Sequence, residues 1–243
     1  MKIILPILTA LIVGIASFYL FQKKINEQKL DYKVQKLKIT QKTVEENFKE
    51  ISVRIQRQLE AFAKTVAEDK IFALRVLAEN DRSSTDVTEL AVRFRLPMDF
   101  AVLEITDSLL NILSSGHFAA NAGNSAVEKA ALSKEPTCYD DNILGQLRLT
   151  LQSKVRFDIS DIPFFVMGGL ELNEAFLKSL APNENISILL KRGKQYSGVS
   201  DINSISEVNN NHIIINDKEY WAAELQLPYT GSGDKPSLIV YME

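Results

Sequence analysis

A single cysteine, Cys138, rules out an intramolecular disulfide in this chain of 243 residues. Only two histidines, His117 and His212, stand beside that thiol, so a Cys/His zinc site cannot be assembled within one chain. Positive charge is also scarce. The 28 Lys and Arg against 31 Asp and Glu leave a net charge of -3. Nucleic acid, which needs clustered cations that release counterions, is therefore not an expected partner. No base, nucleophile and set of oxyanion donors can be placed together, so neither an enzyme nor a cofactor is expected. Internal repeats and low-complexity stretches are missing too. With 46% hydrophobic residues, global disorder is excluded.

What is present begins at the N-terminus. Ile3 to Phe21 is nineteen residues without a charge, bounded by Lys2 and by Lys23-Lys24. As a helix it rises roughly 28 Å, the hydrocarbon thickness of a bilayer. Phe18, Tyr19 and Phe21 fall at one interface, where aromatic rings are favoured. A cleaved signal peptide is the rival, since Gly14-Ile15-Ala16 offers a small-x-small site, but the apolar run continues past it. A transmembrane anchor over residues 1–22 is the preferred reading. Six lysines between Lys23 and Lys38 follow the segment, and by the positive-inside bias they hold the C-terminal side in the cytoplasm. Long domains translocate largely regardless of such charge.

Glycine and proline are absent from Lys24 to Asn80, which predicts a long helical stalk over residues 23–80. Its apolar stripe runs through Leu30, Val34, Leu37, Val44, Phe48, Ile51, Ile55, Leu59, Phe62 and Val66, near a heptad with one stutter. Gln41 occupies the place where an apolar residue was due. The stripe suits a parallel homodimer near the membrane or packing on the chain's own later domain, from Ile71 onward. Asn80 to Thr85 is turn material, and Thr85 to Phe94 a short second helix.

After Pro97 the period shortens. Strands are expected at Phe100–Thr106, Ile112–Ser115, Leu147–Leu151, Val155–Ile159, Phe164–Leu172, Ile186–Leu190, Ile213–Ile215, Tyr220–Leu227 and Leu238–Tyr241. Helices are expected at Ala122–Ser133 and, capped by Asn173, at Glu174–Leu180. The fold class is α+β: a PAS-like antiparallel sheet flanked by helices, over residues 81–243.

Phe100 to Phe118 (FAVLEITDSLLNILSSGHF) and Phe164 to Pro182 (FFVMGGLELNEAFLKSLAP) carry a resemblance. Together they resemble the extracytoplasmic Cache/PAS-like input domain of bacterial membrane sensor histidine kinases, over about residues 24 to 243. The resemblance implies a signal-transduction input module in the inner membrane. Its main domain would be periplasmic, and its transmitter would lie beyond Glu243 or on another chain. One departure is Leu109-Leu110-Asn111 in the first hairpin turn, where such domains carry glycine; Asn111 tolerates the left-handed backbone. The alternative function is a membrane-tethered scaffold that dimerises through its stalk.

Such a fold places a pocket between the sheet and a cover, here Gly116–Asp141. The residues able to orient a small anionic ligand are Arg148 and Arg156, read as lying on adjacent strands, and the backbone of Gly168-Gly169. Each has a plain counterpart: a cross-strand surface pair for the arginines, a bulge or close-packing point for the glycines. His117 reads as an exposed loop residue, Asp140-Asp141 as solvated loop carboxylates, and Trp221 as core.

Overall fold

A computed structural model describes residues 4–198, 204–208 and 211–242, with the side chains of 4–13, 15, 16, 207 and 208 outside the described set. The chain opens with one 65-residue helix, α1 (Ile4–Glu68). Among the described residues no helix is long and apolar enough to cross a membrane. The expected span, Ile3–Phe21, falls largely on residues whose side chains are outside the described set.

From Leu37 onward the stripe of α1 is core. Leu37, Val44, Phe48, Ile55, Leu59, Phe62 and Val66 are all buried, whereas Leu30 is half exposed. The stripe therefore packs on the chain's own sheets much earlier than Ile71. Gln41, out of place in an apolar pattern, donates its amide to the Glu224 carbonyl (3.1 Å). Asn47 does the same to the Leu180 carbonyl (2.9 Å). The helix is not continuous to Asn80. Asp69 leaves helical geometry (φ -75°, ψ 103°), and its carboxylate caps the backbone of Ile71 and Phe72 at the start of α2 (Lys70–Ala73). A π-turn over Leu74–Ala78 follows, and the left-handed Asn80 (φ 52°) ends the run. Two short helices come next, α3 (Thr85–Thr88) and α4 (Leu90–Arg95).

Two antiparallel sheets take the place of the expected single one. The first comprises β1 (Val102–Thr106), β2 (Ile112–Ser115), β3 (Thr137–Ile143), β4 (Gln146–Ile159) and β5 (Ile162–Glu171), in the order β2-β1-β5-β4-β3. After α5 (Glu174–Leu180) come β6 (Ile186–Arg192), β7 (Gln195–Ser197), β8 (Ile205–Val208), β9 (His212–Ile215), β10 (Lys218–Gln226) and β11 (Pro236–Met242). They form the second sheet, ordered β7-β6-β11-β10-β9-β8. The two strands expected at 147–151 and 155–159 are one, β4, because Gln152, Ser153 and Lys154 continue the ladder to β5. The helix expected over 122–133 is absent; single 3-10 turns at Ala119–Asn121 and Val127–Lys129 sit in an otherwise irregular segment.

One main core joins α1 to both sheets. Phe72 meets Phe164 of β5 edge-on at 6.3 Å, and Phe48 meets Phe176 of α5 at 6.4 Å. Trp221 packs against this core, with the Lys33 ammonium 5.9 Å from its ring. In the β1–β2 turn it is Leu110, not Asn111, that takes positive φ (63°). The strain is held by Asp107, whose carboxylate accepts from the backbone of Leu109 and Asn111, the Asn111 side chain and Arg82. Although burial pushes the Asp107 carboxyl up, these donors hold it below its usual value.

Candidate functional site

Successive residues of a strand face opposite sides, and the inner strands of the first sheet use both. Val166, Leu151 and Phe157 join the core shared with α1, while Ile112, Tyr139 and Met167 belong to a smaller cluster on the other face. The connection from β2 to β3, residues 116–136, lies over that second face and roofs it. Its apolar anchors are few, Ala126 and Leu132. Backbone bonds tack it down at its ends, from Gly116 N to Leu103 O (2.8 Å) and from Lys154 N to Ser133 O (2.7 Å), and in its middle, from Ile112 N to Asn124 O, Gly123 N to Ile112 O and Ala126 N to Leu110 O (each 2.8 Å).

Beneath the roof lies a buried charged cluster. Lys129, from the second 3-10 turn, sends its ammonium down to Glu104 Oε2 of β1 (2.8 Å) and to Asp141 Oδ2 of β3 (2.7 Å). All three side chains are almost fully buried, at 4%, 1% and 6% exposure. Gln152 of β4 donates to the same Asp141 oxygen (2.7 Å) and to Thr150 Oγ1 (2.8 Å). His117, also buried, has Nδ1 3.3 Å from Ser115 Oγ and Nε2 3.6 Å from Glu104 Oε1. Neither His117 Nε2 nor Gln152 Oε1 has a hydrogen-bond partner within the protein.

The charges do not balance: one ammonium faces two carboxylates. Burial pushes Asp141 up, yet the Lys129 ammonium and the Gln152 amide together hold it below its usual value. Desolvation dominates at Glu104 and raises it in spite of Lys129. Burial opposes the charge on Lys129, but the two carboxylates raise its pKa overall. His117 is held neutral, its pKa lowered to about 4 by burial and by the nearby Lys129 charge. Buried, mutually perturbed groups of this kind, two carboxylates on one ammonium, are the candidate site of the fold.

The four residues expected to hold a ligand are not brought together. Arg148 and Arg156 sit on one strand, β4, eight residues or about 26 Å apart, so they are not on adjacent strands. Both are about half exposed or more, the first near Glu171 (3.6 Å) and the second bonded to Asp158 (2.9 Å). Gly168 and Gly169 are regular ladder residues facing Leu103 and Ser153, and Val102 and Gln152. Two dismissed residues, His117 and Asp141, are in the cluster instead, and neither is solvated. Glu104 is expected only as part of a lining strand, Val102–Glu104, and Lys129 only as part of the cover, neither as a group that holds a ligand. A lone carboxylate within the apolar run FAVLEIT was the available signal for the first. Lys129 has no such mark in a polar segment.

On the other side of β3, Asp140 reaches the second sheet. Arg192 of β6 binds it through both terminal nitrogens (2.7 and 2.8 Å), and Tyr229, between β10 and β11, donates to it at 2.6 Å. Backbone bonds from Cys138 N to Pro228 O (2.8 Å) and from Thr230 N to Cys138 O (3.0 Å) complete the clamp. Neighbouring residues of β3 thus face the roofed cluster and the second sheet. Arg192→Met is expected to cost about 2 kcal/mol, read as a fall in melting midpoint of about 4–8 °C. Arg192→Lys should not restore it, since an ammonium cannot make the bidentate contact; full recovery by lysine counts against the clamp.

No family model and no curated protein matches the sequence. Solved structures do match its fold. The periplasmic domain of Vibrio cholerae LuxQ is similar at 12% identity and TM-score 0.56, over 85% of this chain and 97% of that one. The sensor domain of the V. cholerae histidine kinase DctB gives 11% and 0.51, over 85% and 96%. The sensory domain of the Campylobacter jejuni chemoreceptor Tlp3, solved with isoleucine bound, gives 15% and 0.51, over 90% and 95%. The fold is that of the Cache/PAS-like extracytoplasmic sensor domains.

Proposed function

We propose that the chain is a membrane-anchored, extracytoplasmic signal-input module of a two-component sensor kinase or related receptor. Residues 1–22 serve as the anchor, the remainder of α1 to Glu68 as the transmitting helix and 81–243 as the sensing body. The observation that carries this reading is α1 itself. One helix, Ile4–Glu68, runs from the apolar N-terminal segment into a core shared with both sheets. A change in how the sheets pack therefore acts directly on the segment that meets the bilayer. The roofed cluster of Glu104, Lys129 and Asp141 is the place where a stimulus enters.

The reading has a topological and a binding consequence. A phosphatase reporter that folds only outside the cytoplasm, fused after Glu243 of the full chain, is expected to be active in spite of the lysine run. A reporter active only in the cytoplasm overturns the placement. In a thermal-shift screen of small metabolites on the full chain, at least one is expected to raise the melting midpoint. Asp141→Asn should abolish that shift. If no compound stabilises the wild-type protein, the tethered scaffold becomes the better reading.

A further inference from the structure

Lys129 behaves as a ligand rather than as part of the framework. Its backbone belongs to a one-turn helix whose neighbours Val127 and Glu128 are exposed. Every strong contact of its ammonium is with the sheet, to Glu104 at 2.8 Å and Asp141 at 2.7 Å. The groups around the ammonium are richer in acceptors than one lysine can use. Gln152 Oε1 and His117 Nε2, on side chains that touch the cluster, are buried and have no hydrogen-bond partner within the protein. The second carboxylate has no positive charge of its own.

We propose that Glu104, Asp141 and Gln152 form a seat for a small primary ammonium group, which the protein fills with its own Lys129 in the closed state. Its use as an input rests on the sensing reading above. A primary ammonium fits because it has three N–H donors for converging acceptors and enough charge for the carboxylate pair. A quaternary ammonium has the charge but no donor. A ligand of this class enters by displacing Lys129, which releases the pin between roof and sheet. The Glu104 carboxyl, raised by desolvation, marks the seat as under-compensated even with Lys129 in place.

The test is chemical rescue on the full chain in lipid nanodiscs. Lys129→Ala leaves two buried carboxylates without a cation and is expected to lower the melting midpoint by about 6–20 °C. n-Butylammonium, which carries its ammonium on an alkyl stem as long as that of lysine, should restore at least half of the loss. Tetramethylammonium and sodium at equal ionic strength should not. On wild-type protein the butylammonium concentration for a comparable shift should be at least about tenfold higher, since Lys129 competes for the seat. If Lys129→Ala does not fold, Lys129→Met keeps the apolar stem, and its loss should be reversed by adding Glu104→Gln. Wild-type melting of Lys129→Ala, equal rescue by tetramethylammonium, or no recovery in the Met/Gln double variant overturns the proposal. Because the readout is the stability of a variant, the seat can fail while the metabolite screen on wild-type protein succeeds, and the reverse.

Discussion

Ile55→Asp is expected to abolish cooperative unfolding of the whole chain. Ile55 has no exposed surface and lies in the core that α1 shares with both sheets. The substitution removes about 1.5–3 kcal/mol of apolar burial and places a carboxylate where the residues around it are apolar. Leaving a buried charge unpaired adds several kcal/mol more. The sum is comparable to the 5–15 kcal/mol that typically separates folded from unfolded protein. Val53→Asp is the control. Val53 is 37% exposed on the outer side of the same helix, and its change should stay within about 0.5 kcal/mol. Melting followed by circular dichroism, with molecular mass measured by light scattering, separates two uses of the stripe. If Ile55→Asp converts a dimer to a monomer whose sheets still melt cooperatively, the stripe belongs to a second copy rather than to this chain's own core.

The stripe also shows how far periodicity reaches. Spacing identified a helix and the residues on its buried face, because a period near 3.6 is a property of the helix alone. It could not say what covers that face, since a second helix and the surface of a sheet both accept the same row of apolar residues. Gln41, which broke the pattern, was the better clue to a partner other than a second helical stalk, and Asn47 beside the stripe acts in the same way. Each donates to a backbone carbonyl, of Glu224 and Leu180, across the packing surface. Strand alternation found β1, β2 and β5. It split β4 at Gln152–Lys154, where three polar residues in a row imitate a turn, although only Gln152 reaches the buried cluster. The cluster was illegible for the same reason. Glu104 stands out in its apolar run, but Lys129 and Asp141, from the roof segment and another strand, look solvated until the fold brings their partners within 3 Å. Which segment covers this face of the sheet followed from the order of the elements, whereas the charged groups beneath it needed the three-dimensional pairing.

Gly169→Ala is expected to cost about 3 kcal/mol or more, although the change is one methyl group. β5 is the central strand of the first sheet, and Gly169 lies between Val102 of β1 and Gln152 of β4, on the roofed face. A Cβ built there would stand 1.8 Å from the Leu151 carbonyl oxygen and 2.8 Å from its carbon. The obstacle is backbone, so no side-chain rotation can relieve it. β4 must shift away, and that strand carries Gln152 and Thr150 of the cluster. Gly168→Ala should cost less, because its nearest backbone contact, the Val102 oxygen, is 2.6 Å away and its other neighbours are ends of side chains. Denaturant unfolding of both variants gives the order directly. A glycine kept for an anion-binding backbone predicts another outcome for Gly169→Ala: wild-type stability with a lost response to ligand. A glycine kept for close strand approach predicts that stability falls first, more at 169 than at 168, with the roof loosening as β4 moves. Equal, small losses at the two positions would mean that the sheet yields at this point and that the close approach does not account for Gly169.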